Sequence, residues 1–261
     1  MTLKYTSLSD NSIRDIEDII AYKGRIVSAK DIKNALKSKY KDSTIRKKIY
    51  LLKAKGWLIS FKKGVYYVSD ISSRGFTGLS PYVISGALIE DSYVTAESAL
   101  SYYGYIEQMH RTVTSAVKVK SREFEFQDKY YSFIKIAQDL FFGYQVVMID
   151  GHKARIAELE KSILDFLYLK HNLQSIETIL EVLSKVQKRL DIKKITEYSK
   201  IFPETTRRLL GFLLELEGFD TVELNKTVSK KGVSRMSAVS NIFNAKWRLY
   251  YEDGINGQGK A

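Results

Sequence analysis

The chain has 261 residues, no cysteine and a net charge of +12, from 42 Lys or Arg against 30 Asp or Glu. Without thiols, disulfides, thiolate metal sites and cysteine nucleophiles are excluded. A hydrophobic fraction of 44% with 28% charged residues is that of a globular chain, and the positive excess points to an acidic partner: nucleic acid, an anionic membrane surface or an acidic protein.

The excess is concentrated. Residues 1–70 carry 16 basic and 7 acidic side chains, a net of +9, and the other 191 residues a net of only +3. This asymmetry marks the N-terminal segment as the anion-binding module. The opening "MTLKYTSLSDNS" lacks the apolar run of a signal peptide, and no stretch approaches 18 uninterrupted apolar residues, so a soluble, cytoplasmic protein is expected.

In chain order, Ser12-Ile13-Arg14-Asp15 has the spacing of a capping box, followed by Ile13, Ile16 and Ile20 on one helical face, with Gly24 ending that helix. Ser28 and Asp31 repeat the signature ahead of a second helix that turns Ile32, Ala35 and Leu36 inward. Asp42 or Ser43 is expected to cap a third, whose Ile45, Ile49 and Leu52 share a face. Its opposite face carries Ser43, Lys47 and Tyr50, with Arg46 at the edge and Lys48 nearer the buried side. After Gly56, Trp57–Phe61 and Val65–Ser69 read as two strands joined by Lys62-Lys63-Gly64.

Three helices followed by a two-stranded hairpin is the order of a winged helix-turn-helix, whose third helix enters the major groove while the wing reaches phosphates. Residues 43–69 hold seven Lys or Arg and no acid. A solvated, solubilising face is the alternative reading, and the two lysines at the hairpin tip favour DNA over it. Arg46, Lys47 and Tyr50 are the candidates for base edges, since Arg and Lys can donate to guanine O6 and N7; Ser43 and Thr44 join them at the start of the helix. Lys48, Lys53, Lys55, Lys62 and Lys63 are candidates for phosphates, which position the protein without specifying sequence. About five neutralised phosphates give a log–log salt slope of roughly −4 to −5.

"ISSRGFTGLS" (71–80) reads as a linker. Beyond it, helical stretches near Tyr82–Leu88 and Thr95–Tyr103 precede four alternating runs, "RTVTSAVKVK", "REFEFQ", "YYSFIKI" and "YQVVMID", expected as strands. A long helix is expected over 152–171, with Ile156, Leu159, Ile163 and Leu167 on one face. The expected architecture is α+β: a winged helix over 1–70, the linker, an α+β domain over 81–170 and a helical C-terminal extension over 171–261. The extension comprises "SIETILEVLSKVQKRL", "IKKITEYSKIF" and "PETTRRLLGFLLELEG", with Pro203 suited to a first turn and Gly218 to a C-cap. One more helix and a mobile Gly-rich tail complete it.

Chemistry is not indicated. His110, His152 and His171 show no metal-ligand spacing, and His152 and His171 would stand about 28 Å apart at the ends of the expected helix. Phosphate-cradling, dinucleotide-binding and nucleophile-elbow motifs are missing. Glu158 and Glu160, two apart, are expected to diverge around the helix. No cofactor, metal or enzymatic activity is expected.

The motifs "YVTAESALSYYGYIEQ" (93–108), "TVTSAVKVKSREFEF", "FFG" (141–143) and "ARIAELEKSILDFLYL" (154–169), in this order, resemble the AbiE-type abortive-infection antitoxin family (AbiEi), and the likeness spans about residues 10–217. The resemblance implies an N-terminal winged helix that binds inverted repeats in its own promoter and represses it. It also implies a C-terminal antitoxin domain opposing a nucleotidyltransferase-like toxin in a type IV toxin–antitoxin system of bacterial phage defence, without need of a stable complex. The residues matching the family's motifs in the second domain are Glu97, Ser98, Gly104, Glu160, Lys161 and Asp165. Each has a plain structural reading as well: Glu97 as a cap or pairing group, Gly104 as a helix end, Lys161 and Asp165 as an i, i+4 pair worth a few tenths of a kcal/mol. The alternatives are a ligand-sensing transcription factor without a toxin partner and a nucleic-acid-modifying enzyme targeted by the winged helix. A membrane role is disfavoured, because no broad apolar face accompanies the basic one.

Overall fold

The computed structural model describes residues 8–69, 78–107, 111–170 and 172–255, and internal contacts divide the chain into two units at Glu90 and Asp91. In the first unit, Ser9 takes the N-cap position of α1 (Asp10–Lys23) without a side-chain capping bond, so Ser12 falls inside the first turn. Asp15 is therefore no capping group. It lies on the inward face with Ile16 and Ile19, while Ile13 is exposed. The expected capping box fails because the N-cap falls three residues before Ser12, and the Asp15 carboxylate pairs with Lys48, 2.6 Å away.

Strand β1 (Ile26–Ser28), not expected from the sequence, leads directly into α2 (Ala29–Leu36). Here the capping box forms in full: Asp31 N donates to Ser28 Oγ at 3.1 Å and Ser28 N donates to Asp31 Oδ2 at 2.8 Å. Helix α3 (Asp42–Ala54) starts after Lys41 without a side-chain cap, so neither Asp42 nor Ser43 serves as one; Asp42 instead pairs with Lys33 at 2.6 Å. The helix gives way at Gly56, whose φ of 75° lies in the left-handed region open to glycine. Strands β2 (Leu58–Lys62) and β3 (Val65–Val68) form the hairpin, and β1 pairs antiparallel with β3 to give a three-stranded sheet in the order β1-β3-β2. Ile16, Ile19, Val27, Ile32, Leu36, Ile45, Leu52, Trp57, Leu58 and Val68 make one core from all these elements. Helix α4 (Pro81–Leu88), with Ser80 capping and Pro81 at its first position, belongs to this unit and packs on β2. Of the expected linker, residues 71–77 lie outside the described residues.

The second unit begins with β4 (Ser92–Val94) and α5 (Ala96–Tyr102), then β5 (Thr112–Val117), β6 (Arg122–Phe126), β7 (Lys129–Lys135), β8 (Tyr144–Ile149) and β9 (His152–Ala157). The strands join in a mixed sheet in the order β6-β7-β5-β4-β9-β8, with β5–β7 and β4–β9 parallel. The four expected strands are present, and β4 and β9 are additions. The long helix expected over 152–171 is corrected: residues 152–157 are β9, and α6 spans Leu159–Leu169. The turn decides this. Asp150 and Gly151 take φ of 52° and 73°, the paired left-handed geometry of a two-residue hairpin. His152 thus opens a strand and does not bracket a helix; His110 and His171 lie outside the described residues.

Helix α6 is buried on every side, because α5, α7 (Leu173–Val186), α8 (Ile192–Ser199) and α9 (Glu204–Leu216) all pack on it. Pro203 stands at the N-cap of α9 and Gly218, at φ 77°, follows its C-terminus. After the short α10 (Val222–Lys226), the helix expected near the C-terminus is replaced by β10 (Ser234–Arg235), β11 (Ile242–Asn244) and β12 (Leu249–Tyr251), a small sheet in the order β10-β12-β11. The tail from residue 256 lies outside the described residues.

Trp247 anchors that sheet. It is fully buried, donates from Nε1 to Glu215 Oε2 at 2.5 Å, and lies so close to Gly211 on α9 that a Cβ there would meet the indole at 2.1 Å. Gly211→Ala is expected to destabilise the second unit by about 1–3 kcal/mol, overpacking outweighing the gain in helix propensity. Gly86→Ala in α4, where nothing lies within 4 Å of the added carbon, is expected to be neutral or mildly stabilising. Urea denaturation of the two variants checks the contrast.

Candidate nucleic-acid interface

Burial of Ile45 and Leu52 against the first unit's core fixes the rotation of α3 and leaves its other face in solvent. Ser43, Thr44, Arg46, Lys47 and Tyr50 are all exposed on that face, Tyr50 to 71%. Leu51, the next residue, is exposed as well, to 52%, so α3 presents apolar surface beside its charges. Among the described residues Arg46, Lys47 and Lys63 take part in no ion pair, so their charges are available. Lys63 occupies the exposed tip of the β2–β3 hairpin beside Gly64, whose φ of 81° permits the tight turn.

The remaining lysines of the set divide. Lys53 is exposed, with its ammonium 5.8 Å from the Tyr66 ring centre, and Lys55 is half-buried. Lys48 is drawn away from the outer face: it pairs with Asp15 and sits 4.3 Å over the Tyr40 ring. Burial alone would lower its pKa, but the hydrogen bond and charge of Asp15 prevail and raise it. Lys62 donates to the Leu88 carbonyl at the end of α4. Both therefore serve the fold, and sequence alone placed them among the phosphate contacts because it did not show Asp15 or α4 opposite them.

The six residues singled out in the second unit do not form one constellation. Lys161 and Asp165, expected as an i, i+4 pair, are fully buried on α6 in mutual contact. Asp165 Oδ2 also accepts from Thr95 Oγ1 at 2.6 Å and from the Tyr93 hydroxyl at 3.0 Å, and Lys161 Nζ donates to the Tyr93 hydroxyl at 2.9 Å. The Phe142 and Phe202 rings enclose the ammonium at 5.1 and 4.9 Å. Burial pushes the Asp165 carboxyl up and the Lys161 ammonium down, each opposed by the partner's charge. The Tyr93 hydroxyl is raised by burial and then by Asp165.

On α5, Glu97 accepts through Oε1 from Thr114 Oγ1 at 2.9 Å and from Lys170 Nζ at 2.8 Å, and Ser98 Oγ accepts from Thr114 N at 2.9 Å. These bonds tie α5 to β5 and α6. Gly104 follows α5 at φ 79°. Glu158 and Glu160, expected to diverge, converge on Lys194 of α8 at 3.3 and 3.2 Å. They do so because Glu158 is the N-cap of α6, outside the helix, and not one of its turns.

The chain shares its fold with a solved structure. The crystal structure of RV2827C protein from Mycobacterium tuberculosis superposes with a TM-score of 0.68 at 11% identity, over 94% of this chain and 92% of that one. At that identity the likeness speaks for the fold alone, a mixed α+β arrangement running through both units. No family model matches the sequence, and no curated protein matches it. No helix among the described residues is long and apolar enough to cross a membrane, and among them no group of His, Asp or Glu side chains is placed to hold a metal ion. Tyr93, Thr95 and Thr114, missed from the sequence, complete the buried networks. Their only advance signal is polarity inside otherwise apolar runs.

Proposed function

We propose that the first unit is a winged helix-turn-helix that binds double-stranded DNA, α3 entering the major groove and the β2–β3 hairpin reaching the flanking backbone. The observation that carries this reading is the outer face of α3, where Arg46, Lys47 and Tyr50 stand together in solvent with no described partner for either charge. The order α1-β1-α2-α3-β2-β3, with β1 closing a three-stranded sheet behind the hairpin, supports it. Arg46 and Lys47 read base edges; Lys53 and Lys63 contact phosphates.

The resemblance of residues 10–217 to AbiE-type antitoxins extends the proposal. The protein represses its own promoter through inverted repeats and, as the antitoxin of a type IV system, counters a nucleotidyltransferase-like toxin in the cytoplasm. In this reading Glu97, Ser98, Glu160, Lys161 and Asp165 support the antitoxin domain by holding its helices and sheet together. They contact no partner directly, since their functional groups are turned inward.

Fluorescence anisotropy with the protein's own upstream DNA and a scrambled duplex, across a salt series, tests the first half. Lys53 and Lys63 are the exposed phosphate candidates, and about two such contacts give an expected log–log slope of roughly −2. Equal affinity for both duplexes at every salt concentration would refute the repressor. Co-expression with an adjacent nucleotidyltransferase-like gene tests the second half: growth that the protein fails to rescue removes the antitoxin role.

A further inference from the structure

The small sheet that follows α10 has two unlike faces. On the inner one Leu249 is buried and the Tyr251 ring packs on Phe212 of α9, their centres 4.7 Å apart. On the outer face the strand register sets Tyr250 of β12 opposite both Arg235 of β10 and Phe243 of β11. These three side chains form one row across the sheet. The Arg235 guanidinium lies 4.3 Å from the Tyr250 ring centre, and the Tyr250 and Phe243 rings stand 5.0 Å apart at 44°. Arg235 is exposed, and Phe243 is 43% exposed although its inner neighbours already supply the packing.

The charge around this row is of one sign. Residues 224–251 hold six Lys or Arg and no Asp or Glu, while the other 163 residues after position 70 hold 20 basic and 23 acidic side chains. The positive excess of that part of the chain is therefore gathered in this one segment. Lys230, Lys231 and Arg235 are exposed and Arg248 is half-buried, and among the described residues none of the four is in an ion pair. Arg235 donates to the Ser240 carbonyl and Arg248 to the Gly232 carbonyl, each at 2.6 Å, which orients both guanidinium groups without neutralising them. The second of these bonds sets Arg248 beside the Lys230-Lys231 segment.

We propose that this outer face binds single-stranded nucleic acid, unpaired bases stacking on Phe243 and on the Arg235–Tyr250 pair while Lys230, Lys231 and Arg248 meet the backbone phosphates. Aromatic rings and guanidinium planes displayed on a sheet stack bases of any sequence, and cations beside them follow the strand. The partner is single-stranded because a duplex keeps its base faces stacked on one another and leaves the exposed ring nothing to stack against. An acidic protein segment would satisfy the cations but leave the Arg235–Tyr250–Phe243 row unused. The face lies beyond the 10–217 stretch that resembles AbiE-type antitoxins and uses no residue of α3, so it is independent of the duplex-binding reading of the first unit.

Fluorescence anisotropy with a short labelled oligothymidylate, and with a duplex of equal length and unrelated sequence, tests it. The full chain carries Arg46→Ala/Lys47→Ala in every sample, so that α3 contributes no base contacts. Saturable binding of the oligothymidylate is expected. Phe243→Leu, which keeps apolar bulk but no ring, should weaken it about tenfold, while Phe243→Tyr should retain it and the duplex should not respond to either change. Lys230→Ala/Lys231→Ala should lower affinity and flatten the log–log salt slope by about 1.4, as the loss of two single-strand phosphate contacts requires. Lys188→Ala/Arg189→Ala, an equal loss of charge at exposed positions after α7, should leave affinity unchanged. Undiminished binding by Phe243→Leu, or an equal loss in Lys188→Ala/Arg189→Ala, would overturn the site. A duplex weakened by Phe243→Leu as much as the single strand would overturn the assignment of its partner.

Discussion

Asp165→Ala is expected to destabilise the second unit by about 3–5 kcal/mol. The reason is what remains behind. Lys161 is fully buried, and without Asp165 the Tyr93 hydroxyl is its only described hydrogen-bond acceptor. An ammonium in that position must either lose its proton or admit water. Lys161→Met is expected to cost less. The Asp165 carboxylate would keep its donors from Thr95 and Tyr93, and burial already favours its protonated form. Lys161→Met/Asp165→Leu should recover much of the loss, since a buried pair replaced by apolar groups of similar volume is often tolerated. Urea midpoints of the three variants provide the check. A drop for Asp165→Ala no larger than that for Lys161→Met would show that the pair does not hold the unit together in this way.

Arg46→Ala/Lys47→Ala is expected to weaken binding to the upstream DNA by about 10²-fold or more, each base contact being worth about 1–3 kcal/mol. Tm should not move, because both side chains are exposed and, among the described residues, in no ion pair. Lys48→Ala should behave in the opposite sense. It leaves the buried Asp15 carboxylate without its cation, so thermal stability should fall while specificity between duplexes persists. Anisotropy and thermal denaturation on the same preparations separate a residue that reads DNA from one that supports the helix. If Lys48→Ala affected only affinity, and Arg46→Ala/Lys47→Ala only stability, the assignment of the α3 face would be reversed.

The two experiments differ in how far the sequence anticipated them. The α3 face follows from local rules. Ile45 and Leu52 set which side is buried, and the 100° step per residue then places Lys47 and Tyr50 outward whatever the helix packs on. The Ser28–Asp31 cap and the Gly56 and Gly64 turns are equally local, and each is present. The Asp150-Gly151 pair was a legible hairpin signal flanked by alternating residues. Helical periodicity in "ARIAELEKSILDFLYL" concealed it, because Ile156 happens to keep the spacing of Leu159 and Ile163 across the junction between β9 and α6.

What the sequence alone determined is therefore the charge-bearing helix, the strands with strong alternation and the helices with continuous apolar faces, all products of interactions within about one turn or one pleat. Only the tertiary structure decided that Lys48 and Lys62 are occupied, that Lys161 and Asp165 are interior, and that Glu158 and Glu160 meet at Lys194. It also decided that residues 234–251 make a sheet around Trp247 and not a helix. Each of these depends on a partner far away in the chain. A polar side chain's environment is set by what is brought against it, and no local pattern records a partner that stands 26 to 72 residues away.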